Sequence, residues 1–141
     1  MPRCSGPSSW PLRPAGGVTV KAAYNKALKA SILVDGRGLT LYIWTADIPK
    51  NNSVCAADPG CTKYWQPLKA PATAGAGVKA SLLGTTTDGK IATYNGHPLY
   101  FFRGGGGLGS PDKKPGQLND QGVYQVWFVL TPKGTLIKKI P

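Results

Sequence analysis

Glutamate is absent from this 141-residue chain, and all six acidic residues are aspartates. Because aspartate favours turns and caps whereas glutamate favours helix interiors, this choice is typical of a turn-rich β protein. The single histidine, His97, lies in a turn-like segment and leaves little material for a histidine-rich metal site or for acid–base catalysis. No Gly-x-Ser-x-Gly nucleophile elbow occurs either. We therefore predict a non-catalytic protein with no cofactor and no metal.

Long hydrophobic runs are also absent, and no stretch of 18 apolar residues is available to cross a membrane. Residues 1–17 are rich in Pro, Ser and Gly, and lack the apolar stretch of a secretion signal. They are predicted to form a disordered leader, with residues 18–141 as a single domain. The leader contains Cys4, which is predicted to be incidental or to form accidental intermolecular bonds.

Negative charge is scarce: 17 Lys and Arg face six Asp, which gives a formal net charge of +11. The positive residues are scattered and never exceed two in a row, whereas a basic arm for nucleic acid is denser. This distribution predicts salt-sensitive adhesion to an anionic cell-surface polymer, or binding to a protein partner, without specific nucleic-acid recognition. Homo-oligomeric assembly through strand edges is permitted by the sequence.

Cys55 and Cys61 flank the segment AADPG, whose Pro-Gly pair is a turn signal. A disulfide across this short loop is sterically natural, and disulfides persist outside the reducing cytosol. We therefore predict an extracellular or cell-envelope protein, although no export signal is visible in this chain. Two unpaired thiols in a cytosolic loop are the alternative interpretation.

Nineteen glycines and thirteen prolines divide the chain into short pieces. Apolar runs flank Asp35-Gly36, Asp88-Gly89, Asn95-Gly96 and Lys133-Gly134, as expected of hairpins. The sequence predicts an all-β fold: a compact sandwich or barrel-like domain of about seven or eight short antiparallel strands. The segment AAYNKALKA, residues 22–30, has good helix propensity and is predicted to form one or two helical turns.

A similar series of elements occurs twice. A glycine turn leads to an aromatic strand, then a long loop and a tryptophan strand, in LYIW with Trp65 and again in LYFF with Trp127. We interpret these as two related units, repeat one at about 18–70 and repeat two at about 77–141. Two such units can cover each other's apolar faces by packing together.

The aromatic strands are apolar on both faces, because Leu41 and Ile43 alternate with Tyr42 and Trp44. Such a strand is either covered on both sides or presents rings to a ligand; burial in the core is the commoner use. If the rings bind a ligand, the candidate residues are Tyr42, Trp44, Asp47, Trp65, Tyr100, Phe102 and Trp127.

The segments GRGLTLYIWTAD, CAADPGCTKYWQPL, DGKIATYNGHPLYFF and VWFVLTPKG occur in the order found in a bacterial secreted-repeat family. The chain resembles this family, whose members are predicted lipoproteins of unknown function with a Tyr-x-aromatic-x-x-Asp motif. The resemblance covers about residues 18–137 and implies a secreted or envelope-bound protein with no established activity. Tyr42, Trp44 and Asp47 match the whole motif, and the family's paired cysteines are matched by Cys55 and Cys61.

The chain departs from the family pattern at two places. Gly105 stands where the second copy would carry its acid, and we interpret the glycine run 104–107 as shaping that loop in place of an aspartate. Cys4 follows no apolar signal, so lipidation is not inferred. The functional prediction is a non-catalytic binding or surface-assembly module; the alternatives are a carbohydrate or small-ligand binder, and a redox or metal-associated envelope protein.

Overall fold

The computed structural model describes residues 18–48 and 50–141, so the predicted leader and Cys4 lie outside the described residues. Within that range the protein is built from short strands. The one α-helix, α1, is the four-residue segment Pro59–Thr62, and no helix there is long and apolar enough to cross a membrane. The strands are β1 (Val18–Asn25), β2 (Ala30–Asp35), β3 (Tyr42–Trp44), β4 (Trp65–Pro67), β5 (Ala72–Ala74), β6 (Leu83–Thr85), β7 (Ala92–Tyr94), β8 (His97–Pro98), β9 (Tyr100–Phe102), β10 (Trp127–Leu130) and β11 (Leu136–Ile137).

These strands form three sheets, and the predicted all-β fold is confirmed. The central sheet has five strands in the order β11-β10-β3-β9-β4, all antiparallel. A second sheet has the order β2-β1-β5, in which β1 and β5 run parallel, and a third has the order β6-β7-β8. The described range holds eleven strands rather than seven or eight, because turns and bends cut the apolar runs into pieces of two to eight residues.

The predicted turns close the hairpins where the sequence places them. Asn95 and Gly96 both have positive φ, 50° and 82°, as a two-residue type I′ turn between β7 and β8 requires. After β2, the side chain of Asp35 accepts hydrogen bonds from the backbone N–H groups of Arg37 and Leu39, both at 2.9 Å. Residues 39–41 then pair back on β2 around Thr40, where the Asp35 N–H donates to the Leu39 carbonyl and the Leu41 N–H donates to the Leu33 carbonyl, before β3 enters the central sheet.

The helix predicted over residues 22–30 is wrong. Most of this segment lies in β1 and the turn that follows it, because β1 pairs along its length with β2. Within the turn, the Asn25 side chain accepts from the Leu28 N–H at 3.0 Å, and Lys29 adopts a left-handed conformation with φ 55°. Sheet pairing and burial of Leu28 thus override a weak local helix propensity.

The central sheet is covered on both faces. One face contributes Tyr42, Trp65 and Trp127 to an aromatic cluster, which also packs against Ile32 and Val34 of β2. The opposite face contributes Leu41, Ile43, Leu99 and Leu130 to an aliphatic cluster. The alternation of side chains along β3 therefore fills two cores, which explains why neither face of this strand is polar.

Candidate functional site

The two aromatic strands are neighbours at the centre of the five-stranded sheet. Tyr42 of β3 lies directly opposite Tyr100 of β9 in the antiparallel register. Each strand is flanked on its other side by the tryptophan strand from the other half of the chain. Trp127 of β10 pairs with Trp44 of β3, and Trp65 of β4 pairs with Phe102 of β9. The two predicted units thus exchange strands within one sheet rather than packing face to face.

The side chains on this face form a compact ring cluster. Trp65 and Trp127 stack face to face, with centroids 3.7 Å apart and planes inclined by 2°. Tyr42 meets Trp65 edge-on at 5.3 Å and 78°, and Tyr100 meets Trp127 edge-on at 5.2 Å and 83°. The matching geometry on the two sides supports the interpretation of two related units, which stays a prediction.

Burial bears on whether these rings can receive a ligand. Tyr42 and Tyr100 are fully buried, and the exposed fractions of Phe102, Trp65 and Trp127 are 2%, 3% and 4%. Trp44 is partly exposed but stacks on Trp127 at 5.3 Å. The structure brings the seven candidate residues together, but the aromatic rings among them pack against each other. This packing favours a role in the core over a flat platform that binds a ligand.

Asp47 follows β3 and is 4% exposed. One carboxylate oxygen accepts from the Val54 N–H at 2.8 Å and from the Cys55 N–H at 3.4 Å. The other accepts a hydrogen bond from the Tyr100 hydroxyl. This aspartate therefore ties the loop before the cysteines to the tyrosine of the other aromatic strand.

Asp112 makes the corresponding contacts on the other side. Its Oδ2 accepts from the Tyr42 hydroxyl at 2.6 Å, and its Oδ1 accepts from the Asn119 N–H, seven residues further on, at 3.0 Å. Asp47 likewise accepts from the residue seven positions on, Val54. Each tyrosine thus donates to an aspartate from the other half of the chain, and we call these two contacts the crossed pairs.

The crossed pairs correct the interpretation of Gly105. The acid of the second half is present, but it stands at Asp112, because a glycine-rich loop separates it from β9. Glycine shapes that loop: Gly104 has φ +79°, and a Cβ there would lie 2.6 Å from the backbone nitrogen of Pro111. The glycines therefore shape the loop that leads from β9 to Asp112, and they do not replace an aspartate.

Burial controls the charge states of these groups. It raises the pKa of Asp47 and of Asp112, while the hydrogen bonds from Tyr100 and Tyr42 act in the opposite direction. Burial also raises the pKa of Tyr42, as does the charge of Asp112, and it raises the pKa of Tyr100, as does the hydrogen bond to Asp47. Because the pKa of each phenol is raised above its ordinary value of 10.0, both tyrosines stay protonated at neutral pH and can donate hydrogen bonds.

Asp120 lies beside the second crossed pair and differs from the other buried acids. It is 4% exposed, its backbone N–H faces the Tyr42 hydroxyl at 3.5 Å, and its Oδ2 is buried with no hydrogen-bond partner. Burial and the neighbouring Asp112 charge raise the pKa of Asp120 to about 6. An ionised carboxylate at this position opposes folding.

Asp120→Asn is expected to raise the free energy of unfolding at pH 7.5 by about 1–2 kcal/mol, because it removes an uncompensated charge. A raised carboxyl pKa means that the folded state binds the proton more tightly, so this group destabilises above about pH 6 and ceases to do so below 3.8. Urea unfolding at pH 7.5 and 4.5 should show the gain shrinking at the lower pH. The exposed Asp58→Asn serves as control, and a loss of stability at both pH values would contradict the assignment.

Cys55 and Cys61 form the predicted disulfide, with their Cα atoms 5.3 Å apart. Cys55 is fully buried in the aromatic cluster, so the bond connects the loop containing α1 to the core.

His97 begins β8 and is partly buried, which lowers its pKa, as does the nearby Lys50. Among the residues that the structure describes, no group of three or more His, Cys, Asp or Glu side chains is arranged to hold a metal ion.

Sequence reasoning missed two of the polar residues here, Asp112 and Asp120. Both lie in a long Gly- and Pro-rich loop, where an aspartate is most simply read as a turn residue. The one available signal was the apparent repeat: an aspartate after the first aromatic strand suggests that the tyrosine of each aromatic strand has an acidic partner. Comparisons with protein-family models, curated proteins and solved structures give no match for this chain.

Proposed function

We propose that this protein is a non-catalytic, extracellular or cell-envelope module that attaches to an anionic polymer of the cell surface. The observation that carries the proposal is the separation of the two signs of charge between interior and surface. Four of the six aspartates, Asp35, Asp47, Asp112 and Asp120, are buried. The exposed surface therefore has a larger excess of positive over negative residues than the net charge of +11 indicates.

The positive residues lie on the outside. No lysine or arginine among the described residues is buried, and the only ion pair there joins Arg37 to Asp35 at 2.8 Å. The two exposed acids, Asp58 and Asp88, are engaged locally, at the start of α1 and in the turn after Thr86. A surface with many unpaired cations and few carboxylates attracts polyanions and repels other cationic surfaces.

The disulfide and the resemblance support the proposed location. A bond between Cys55 and Cys61 persists in an oxidising environment such as the cell exterior or the envelope. The secreted-repeat resemblance points to the same compartment. The buried acids support a non-catalytic role, because the crossed pairs place Asp47 and Asp112 inside the core, where a substrate cannot reach them.

Retention of the purified protein on dextran sulfate and on unmodified dextran tests this proposal, since the two polymers share a backbone and differ in charge. We expect retention on dextran sulfate alone, with affinity falling about tenfold or more between 50 and 500 mM NaCl. Equal retention on both polymers, or binding that does not change with salt, would contradict attachment through charge. Free thiols at Cys55 and Cys61 in protein isolated from its native source would contradict the extracellular location.

A further inference from the structure

Two acidic residues lie next to the Tyr42 hydroxyl. Asp112 accepts a hydrogen bond from this hydroxyl at 2.6 Å, and the backbone N–H of Asp120 donates to the same oxygen at 3.5 Å. The exposed fractions of Asp112 and Asp120 are only 9% and 4%. Burial, and then the charge of Asp112, raise the pKa of Asp120, as expected when two carboxyl groups share one site. Asp112 and Asp120 are therefore neighbours in the interior.

No positive side chain of the described residues compensates this pair. Neither aspartate forms an ion pair there, and Lys113 and Lys114, which follow Asp112 in the chain, are exposed. Oδ2 of Asp120 is buried and has no hydrogen-bond partner among the described residues. Buried charges in proteins are paired with an opposite charge or coordinate a metal ion. A cation that binds oxygen supplies both the charge and the contact that this carboxylate requires.

Asp120 occupies the position that Cys55 occupies in the first half of the chain. Each lies eight residues after the aspartate of a crossed pair. The carbonyl of Cys55 accepts from the backbone N–H three residues further on at 2.9 Å, and the carbonyl of Asp120 does the same at 3.1 Å. The N–H of Cys55 donates to Asp47 at 3.4 Å, whereas the N–H of Asp120 donates to Tyr42, the other member of its own crossed pair.

The loop of the first half is closed by a covalent bond at this position, between Cys55 and Cys61. The second half, residues 77–141, contains no cysteine. A cation held by Asp112 and Asp120 would connect the two ends of the segment between them, as the disulfide connects the ends of its own loop. The two halves then differ in the kind of bond and agree in where it stands.

We propose that Asp112 and Asp120 bind a calcium ion. Calcium takes about six to eight oxygen ligands in a flexible geometry, so backbone carbonyl groups and water complete the set that two carboxylates begin. Magnesium requires a nearly ideal octahedron and releases its water reluctantly, which disfavours it at a buried pair. Carboxylate ligands also favour a hard cation over zinc or copper. This inference does not depend on the proposed attachment to a polymer.

Thermal unfolding in CaCl2 and in EDTA tests the site. Calcium sites of extracellular modules have Kd values of about 0.1–1 mM, so about 5 mM CaCl2 is expected to raise the unfolding midpoint of the wild type by about 5 °C over EDTA. MgCl2 at the same concentration should raise it clearly less, and KCl at equal ionic strength should not raise it. Asp120→Asn should abolish the calcium-dependent rise, although this variant is expected to be more stable than the wild type in EDTA.

Asp47→Asn is the matched control, because it removes the same charge from the other crossed pair and should keep the rise, measured against the same variant in EDTA. Terbium, a luminescent substitute for calcium, gives a direct readout. Excitation of the protein's aromatic rings should produce terbium emission that calcium displaces, and Asp120→Asn should lose this emission while Asp47→Asn keeps it.

Equal calcium-dependent rises in the wild type and in Asp120→Asn, or no rise in the wild type, would overturn the site. An equal rise with magnesium would overturn the assignment to calcium. Retention on dextran sulfate is measured separately and does not involve these buried carboxylates, so the failure of this site and the failure of the proposed function are distinguishable.

Discussion

Asp47→Ala and Asp112→Ala are each expected to lower the free energy of unfolding by about 3 kcal/mol. Each substitution leaves a buried tyrosine hydroxyl and at least one backbone N–H without the acceptor that they share. Since a typical domain has a stability of about 5–15 kcal/mol, the loss is a large fraction of the total. Urea unfolding followed by tryptophan fluorescence measures it directly, because Trp65 and Trp127 contact the two tyrosines.

The informative part of this prediction is that both losses are large. Asp58→Ala, which removes an exposed carboxylate from the start of α1, should have a much smaller effect. A double-mutant cycle between Tyr42→Phe and Asp112→Asn isolates one crossed pair, with a coupling of about 1–2 kcal/mol expected. A mild effect at Asp112 beside a severe one at Asp47 would contradict the correspondence between the two aspartates.

Trp65→Ala and Trp127→Ala are expected to lower the free energy of unfolding by about 3–5 kcal/mol each. Both rings are nearly fully buried, and each contacts the other and one tyrosine, Trp65 with Tyr42 and Trp127 with Tyr100. Removing either one leaves a cavity between the two halves of the sheet and exposes the face of the remaining ring. Thermal unfolding of both variants, with near-ultraviolet circular dichroism of the folded state, measures the loss.

Trp44→Ala is the matched control, because Trp44 also stacks on Trp127 but is only partly buried. Its loss should be clearly smaller than that of Trp65→Ala. The double variant Trp65→Ala with Trp127→Ala should be less destabilised than the sum of the single variants, since the stacking contact is removed only once. Simple addition of the two losses would contradict a direct energetic role for the stack.

The fold class followed from local features that do not depend on distant contacts. The dipeptide Asn95-Gly96 predicts a hairpin because both residues tolerate positive φ, and the structure has that turn. The short loop between Cys55 and Cys61 predicts its disulfide for a similar reason, since seven residues and a turn bring the thiols together. Because both faces of β3 are apolar, the sequence predicted that its side chains are either buried on both sides of the sheet or presented to a ligand. The aromatic and aliphatic clusters favour burial.

Other features depend on contacts that local patterns do not encode. Residues 22–30 carry a modest helix propensity, but the ladder between β1 and β2 contributes more hydrogen bonds and burial than a short helix can. Asp112 is 70 positions from Tyr42 in the chain, and nothing in the intervening residues specifies that the two side chains meet. The exchange of the tryptophan strands could not be predicted for the same reason, because the local sequence around Trp65 and Trp127 does not specify which aromatic strand each one pairs with.

The exchange of strands within the central sheet has a consequence for biosynthesis. A chain that emerges N-terminus first presents β3 and β4 before their partners exist, because β9 and β10 lie within residues 100–130. Until that segment appears, the first half has open edges and uncovered rings, which favours association with other nascent chains. Export of the chain in an unfolded form, which the proposed location implies, would avoid this exposed intermediate because the complete chain folds after crossing the membrane.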